Sequence, residues 1–216
     1  MKCFLATIPI FLILFTGGFA SAGELSPGDF PVNKRMVYHI HWNGIPVGSV
    51  TAESGEISEY RGKKVYTLKL VTESNRFLSA IYRVEDTYYS LVDKDTMTSL
   101  RYEADRKEGS YRKHVIVEYD FDKMEAVYTS ITDGSVKRCP IPRWPQDPMS
   151  AICYFMSVPA VSGDEVCLVV TTNEKNYSVC AGVGEERKMK IPAMAHSQVR
   201  KVTLKVYHEG KEFKKG

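Results

Sequence analysis

The sequence predicts a mainly β fold, a curved antiparallel sheet or partly open β-barrel with one short helix packed on it. Apolar and polar residues alternate with period two through most of the chain beyond residue 35, the pattern of half-buried strands. The connections between these runs are too short for the crossovers that parallel pairing requires. One run alone, Gln146 to Met156, departs from alternation and carries apolar residues at helical spacing.

The chain opens on Lys2, an apolar run from Cys3 through Phe15, and Ala20-Ser21-Ala22, the charged, oily and small-residue zones of a secretory signal. An uncleaved anchor is the rival reading, since a span needs about 20 apolar residues. Thr16-Gly17-Gly18 interrupts the run, however, and Ala20-x-Ala22 is a good peptidase site, so residues 1–22 are expected to be removed. No Leu-x-Gly-Cys lipobox is present, because Cys3 precedes the apolar run. Removing 22 of the 216 residues leaves 194, expected to form a single soluble β-rich domain over 23–216. A domain of that size buries about 70% of the surface its unfolded chain exposes. Lys2 departs with the leader, so 28 basic residues face 26 acidic ones, and no global field recruits nucleic acid. Lys201, Lys205, Lys211, Lys214 and Lys215 make only the end basic, which reads as a solvated strand face and tail.

In Met36-Val37-Tyr38-His39-Ile40-His41-Trp42 one face carries Met36, Tyr38, Ile40 and Trp42, and the other Val37, His39 and His41. Asn43-Gly44 suits a type I′ turn, and the next strand runs from about Pro46 to Ser54. Further strands are predicted at Lys64 to Ser74, Ala80 to Leu91, Met97 to Ala104, Tyr111 to Phe121 and Met124 to Ile131, with Asp105 to Gly109 as a charged turn. In the Tyr111 strand, Tyr111, Lys113, Val115, Val117 and Tyr119 form an apolar face opposite a largely polar one, as in a sheet with one wet side. After the Pro-rich stretch from Cys139 to Pro145, Asp147 and Pro148 are a cap and a first-turn proline. Met149, Ile152, Cys153 and Met156 then lay an apolar stripe against the sheet. Val166 to Thr171, Asn176 to Ala181 and Val199 to His208 are the last strands, with turns at Gly182-Val183-Gly184 and Ile191-Pro192-Ala193.

The run Tyr38-His39-Ile40-His41-Trp42-Asn43-Gly44-Ile45-Pro46-Val47-Gly48 resembles the opening hairpin of the DUF3108 family of exported bacterial proteins, and Asp147-Pro148-Met149-Ser150-Ala151-Ile152-Cys153-Tyr154 resembles its helix. The resemblance spans most of the chain beyond the leader. It implies a mostly β protein exported in Gram-negative bacteria, hence a periplasmic one, with no established activity and no catalytic residues to carry over. Tyr38, Trp42, Gly44, Pro46, Gly48, Asp147, Pro148 and Ser150 are the residues that carry it. Family members generally continue to a further strand, whereas this chain stops at Gly216, so truncation is expected to leave its last sheet edge open.

Four cysteines, Cys139, Cys153, Cys167 and Cys180, remain for an oxidising compartment, and they allow three pairings. Cys167 and Cys180 are symmetric about Asn173-Glu174, so a hairpin centred there sets them opposite one another. Cys139 and Cys153 would pair by default. No Cys-x-x-Cys spacing points to zinc. His39 and His41 share a strand face, with Glu53 the nearest proposal for a third ligand, but solvent-facing histidines are the simpler reading. Ser150 lacks the Gly-x-Ser-x-Gly elbow of a hydrolase, and Gly182-Val183-Gly184 lacks the third glycine of a phosphate cradle. Glu85-Asp86 and Asp93-Asp95 read as turn solvation. No cofactor motif and no catalytic constellation emerges, so no enzyme is expected.

Tyrosines are spread along the strands, and most are expected in the core. The expected function is noncatalytic binding of an apolar ligand, a lipid or lipid-modified partner, in a groove of the curved sheet. The alternative is an interaction module that adds a strand to another envelope protein at an exposed sheet edge.

Overall fold

The computed structural model describes residues 30–158, 160–191 and 194–213. The leader at 1–22, its cleavage point after Ala22 and the Lys214-Lys215 pair lie outside these described residues. Eight strands form one antiparallel sheet in chain order: β1 (Lys34–Trp42), β2 (Ile45–Tyr60), β3 (Lys63–Ser74), β4 (Glu85–Asp93), β5 (Ser99–Glu108), β6 (Tyr111–Asp120), β7 (Glu125–Ser130) and β8 (Val136–Pro140). The order ends at β1 and β8, so the sheet is not closed. A second sheet has the order β13-β12-β11-β10-β9, built from β9 (Pro145–Gln146), β10 (Glu165–Thr172), β11 (Lys175–Ile191), β12 (Met194–His208) and β13 (Lys211–Glu212). Its one parallel contact sets Pro145 and Gln146 beside Val169 and Val170.

The hairpins close as their turn chemistry dictates. Asn43 (φ 48) and Gly44 (φ 81) both take positive φ, as does Asn173-Glu174 between β10 and β11, the requirement of a type I′ turn. Gly48 answers a different demand: a Cβ there would lie 2.3 Å from the Glu73 carbonyl oxygen on β3, so only glycine lets the strands approach.

The first strand keeps its predicted alternation only as far as Ile40. Ile40 pairs with Gly48 but His41 with Pro46, which leaves Val47 as an extra residue on β2 and breaks the pleat. Trp42, expected on the buried face, is 70% exposed at the hairpin tip beside Ile45. Met36, Tyr38 and Ile40 are half-buried as expected.

Other boundaries differ for local reasons. The strand expected from Ala80 starts at Glu85, because Asn75 caps a single helical turn, α1 (Arg76–Ser79), which makes two helices where one was expected. Asn75 Oδ1 accepts the Leu78 N–H at 2.9 Å while its Nδ2 donates to Pro46 O at 2.6 Å. Asp105 to Glu108 extend β5 instead of turning, their charges met along the strand by the Lys107–Asp105 and Arg106–Glu108 pairs. Gly182-Val183-Gly184 lies inside β11, where a register shift between Val183 and Glu186 absorbs the irregularity. β8 was hidden by Lys137, Arg138 and Pro140, and β9 and β13 have two residues each.

α2 (Pro148–Ser157) lies against β4 and β10. Cys153 packs with Phe30, Tyr66, Leu68, Val92 and Met97, flanked by Met149 and Met156. Phe30 meets Tyr66 edge-on, ring centroids 5.6 Å apart. A second cluster joins Val117, Tyr119, Ala126, Tyr128, Cys139 and Ile141 across β6 to β8. Asp147 ties the helix to the sheet: fully buried, it accepts the Ser90 hydroxyl at 2.6 Å, the Ser99 hydroxyl, and the Met149 and Ser150 N–H groups at 2.7 and 3.0 Å. Ser150 Oγ accepts the Asp147 N–H at 2.8 Å, completing a capping box.

Candidate functional site

Alternation and register decide which side chains face inward. Tyr102 on β5 lies opposite Val117 on β6, Val117 opposite Tyr128 on β7, and Tyr128 opposite Lys137 on β8. One pleat further along, Ala104 pairs with Val115, and Val115 with Ser130. Arg106 pairs with Lys113 beyond them, so two cations fall on the same face as the tyrosines.

Part of this face is covered by α2 and by β9, whose Gln146 Nε2 donates to Met97 O at 2.8 Å. The remainder is a cavity of about 410 Å³, within the range of small-ligand sites. Its floor is Tyr88, Tyr102, Ala104, Val115, Val117 and Tyr128, and Arg106, Lys113 and Lys137 add positive charge. The β10–β11 turn forms one wall. Tyr119 OH donates to Thr171 O at 3.3 Å, Lys137 Nζ meets the Glu174 carboxylate at 2.9 and 3.0 Å, and Asn176 Nδ2 donates to Pro140 O at 2.8 Å.

The Tyr128 side chain is 6% exposed, and its buried hydroxyl makes no hydrogen bond, although the Glu174 backbone and Cys139 thiol are near enough to act on it. Burial pushes its pKa far above the ordinary tyrosine range. An orphaned hydroxyl of this kind costs roughly 1–3 kcal/mol; it is enclosed, and Tyr128 contributes to the cavity lining through the rest of its side chain. Burial likewise raises Tyr88, whose hydroxyl donates to Asp86 Oδ2 at 3.1 Å and whose ring stacks 6.4 Å from that of Tyr102. Asp86 is itself buried, its pKa raised by desolvation and held back by the Lys107 N–H at 2.8 Å; the turn role expected for it is corrected accordingly. Asp93 does hold a turn, accepting the Asp95 and Thr96 N–H groups. The Arg106 guanidinium pairs with Glu108 and lies 5.3 Å over the Tyr111 ring.

The residues singled out by sequence do not assemble at this cavity. Cys167 and Cys180 form the expected cross-strand disulfide, Cα atoms 4.1 Å apart. Cys139 and Cys153 are free and buried, and the bond assigned to them by elimination is absent because they sit in separate clusters, one on β8 and one on α2. Tyr38 OH donates to Met36 Sδ at 3.3 Å. Gly44, Pro46 and Gly48 shape the first hairpin; Asp147, Pro148 and Ser150 start the helix. His39 and His41 are exposed, while Glu53, proposed beside them, pairs with Arg35 at 3.1 Å and Lys69 at 3.9 Å. Among the described residues the grouping of potential metal ligands is Glu165, Cys167 and Cys180, whose two sulfurs are bonded to each other. Arg106, Lys113, Lys137 and Tyr128 were not anticipated as a set. The readable signal was Lys113 in the apolar phase of its strand, a cation on an inward face.

A family model described as a protein of unknown function, DUF3108, matches residues 37–216. The chain has no match among the curated proteins. Among solved structures it is similar to a β-barrel-like protein of domain of unknown function DUF1849 from Brucella abortus, with a TM-score of 0.50 and 10% identity over 75% of this chain and 71% of that one. At that identity the likeness speaks to the fold alone.

Proposed function

The chain belongs to the DUF3108 family, whose function is unknown, and from that premise we propose that it is a noncatalytic envelope protein binding an amphiphile in the cavity of its large sheet. The observation that carries the reading is the cavity itself, about 410 Å³ over an aromatic and aliphatic floor of Tyr88, Tyr102, Val115, Val117 and Tyr128. The lining is less apolar than a groove for a bare hydrocarbon. Arg112 and Lys113, lining cations with no ion pair among the described residues, favour a ligand with an anionic group beside its apolar body, such as a lipid or the lipid of a modified partner. No histidine lines the cavity among the described residues, and its carboxylates, Asp133 and Glu174, are held by Ser135 and Lys137. These groups suit binding and orientation better than proton transfer. The Cys167–Cys180 disulfide supports an oxidising compartment, and the leader reading makes that compartment the periplasm. No helix among the described residues is long and apolar enough to cross a membrane.

Native mass spectrometry of the protein purified from its own envelope tests the reading. A co-purifying acidic amphiphile is the expected result, and an apoprotein from every preparation would count against it. A second reading, strand addition, is favoured by β12: β13 pairs with only Tyr207 and His208, which leaves most of that edge open among the described residues. A partner captured through β12 and lost on placing proline at Leu204, whose N–H faces the open edge in this register, would support that alternative.

A further inference from the structure

Four connections of the large sheet share one end: the β1–β2 tip, the α1 segment, the β5–β6 turn and the β7–β8 turn. Hydrogen bonds stitch them into a rim. Asn75 donates to Val47 O and Pro46 O, Gly109 N–H to Arg83 O at 2.7 Å, and Ile131 N–H to His114 O at 2.8 Å. This rim exposes Trp42 and Ile45 on the first hairpin, Phe77 in α1 and Ile81 just after it, and Ile131 and Val136 on the last turn, with Ile81 at 78% and Phe77 at 63%. The turns at the opposite end carry Arg61, Asp95, Asp122 and Lys123, with Met124 as their exposed large apolar side chain.

We propose that this rim seats the protein on an anionic lipid bilayer. Bulky apolar tips on separate turns suit penetration among lipid headgroups, where tryptophan and basic side chains concentrate, better than they suit a continuous protein contact. Charge selects the lipid. Residues 41–46, 75–84, 107–113 and 131–136 hold Arg76, Arg83, Lys107, Arg112 and Lys113 against Glu108 and Asp133, an excess of three cations. Arg83 and Lys107 pair with Glu85 and Asp105, whereas Arg76 and Lys113 have no ion pair among the described residues. Such a cluster is drawn to an acidic leaflet over a Debye length. The cavity adjoins the rim through Arg112, Lys113 and Asp133, so a seated molecule faces its cavity toward the source of an amphiphile. The rim proposal goes beyond the cavity reading and stands or falls separately.

The test uses the protein purified after export, its N-terminus sequenced, in a Trp144→Phe background that makes Trp42 the reporter. Vesicles of phosphatidylethanolamine and phosphatidylglycerol at 3:1 are expected to shift Trp42 emission to the blue, and lipids brominated high on the acyl chain to quench it. Pure phosphatidylcholine is expected to bind at least tenfold more weakly. Phe77→Ser with Ile81→Ser should lower partitioning at least tenfold at an unchanged melting temperature, while Ala104→Trp, which fills the cavity, should leave co-sedimentation at the parent level. Unchanged emission with every vesicle overturns the proposal, and so does vesicle binding that survives the double serine variant or disappears with Ala104→Trp.

Discussion

Asp147 offers the sharpest test of how the helix is fixed to the sheet. Asp147→Ala removes the cap of α2, worth about 1 kcal/mol, and leaves the buried Ser90 and Ser99 hydroxyls without their acceptor, each at roughly 1–3 kcal/mol. Releasing the cost of burying a carboxylate offsets part of this, so the net loss is expected near 3 kcal/mol, or about 6–12 °C in melting temperature for a domain of this size. Asp147→Asn keeps an oxygen for the Met149 and Ser150 N–H groups and an amide for the two serine oxygens, and is expected within about 1 kcal/mol of the parent. The pH dependence separates the two roles. Burial raises the Asp147 carboxyl above its ordinary value of 3.8, against the pull of its four donors. The native state therefore holds this proton more tightly than the unfolded chain. Its contribution is fully present below about 3.8 and is lost as pH rises through the raised native value. The parent should accordingly weaken relative to Asp147→Asn as pH rises across that window, measured by urea unfolding at each pH. An Asp147→Ala protein that melts within 1 kcal/mol of the parent, or an asparagine variant as damaged as alanine, would refute the reasoning.

Trp42→Ala should cost less than about 1 kcal/mol, because the ring is 70% exposed, whereas Tyr66→Ala, 2% exposed and packed on Phe30, should cost about 3–5 kcal/mol; parallel thermal melts decide between them. Peptide mapping without reduction should link Cys167 to Cys180 and recover Cys139 and Cys153 as thiols that alkylate only after unfolding. Opening that 13-residue loop with Cys167→Ser and Cys180→Ser should lower stability by roughly 3 kcal/mol. Tyr128→Phe should leave the free protein as stable or more so, by up to about 1–3 kcal/mol, and a variant with lower stability would show that the hydroxyl is already satisfied. His41→Ala, exposed and outside the cavity, should change neither stability nor ligand binding.

The strands and their pairing were readable because alternation and turn chemistry are local. Asn43-Gly44 specified its hairpin, and the symmetry of Cys167 and Cys180 about Asn173-Glu174 specified both a register and a disulfide. The helix start at Asp147-Pro148 was equally plain, since a cap and a first-turn proline act within four residues. What escaped depends on events that sequence periodicity does not encode. One extra residue at Val47 turned Trp42 outward. The Cys139 and Cys153 thiols were separated by the direction in which α2 leaves the Pro-rich stretch, a tertiary matter. The cavity eluded the reading for the same reason: Tyr102, Val117, Tyr128 and Lys137 become neighbours only after four strands are set in register, and the wall over Tyr128 comes from a turn more than forty residues further along the chain.

Titration of the exported protein with dansylated undecanoic acid, an anionic amphiphile, measures the central claim most directly when run on the parent and on Ala104→Trp, whose indole would occupy the cavity floor. The account predicts saturable binding at one site to the parent and at least a tenfold loss in the tryptophan variant at unchanged melting temperature. Equal binding by both proteins, or none by the parent, would contradict it.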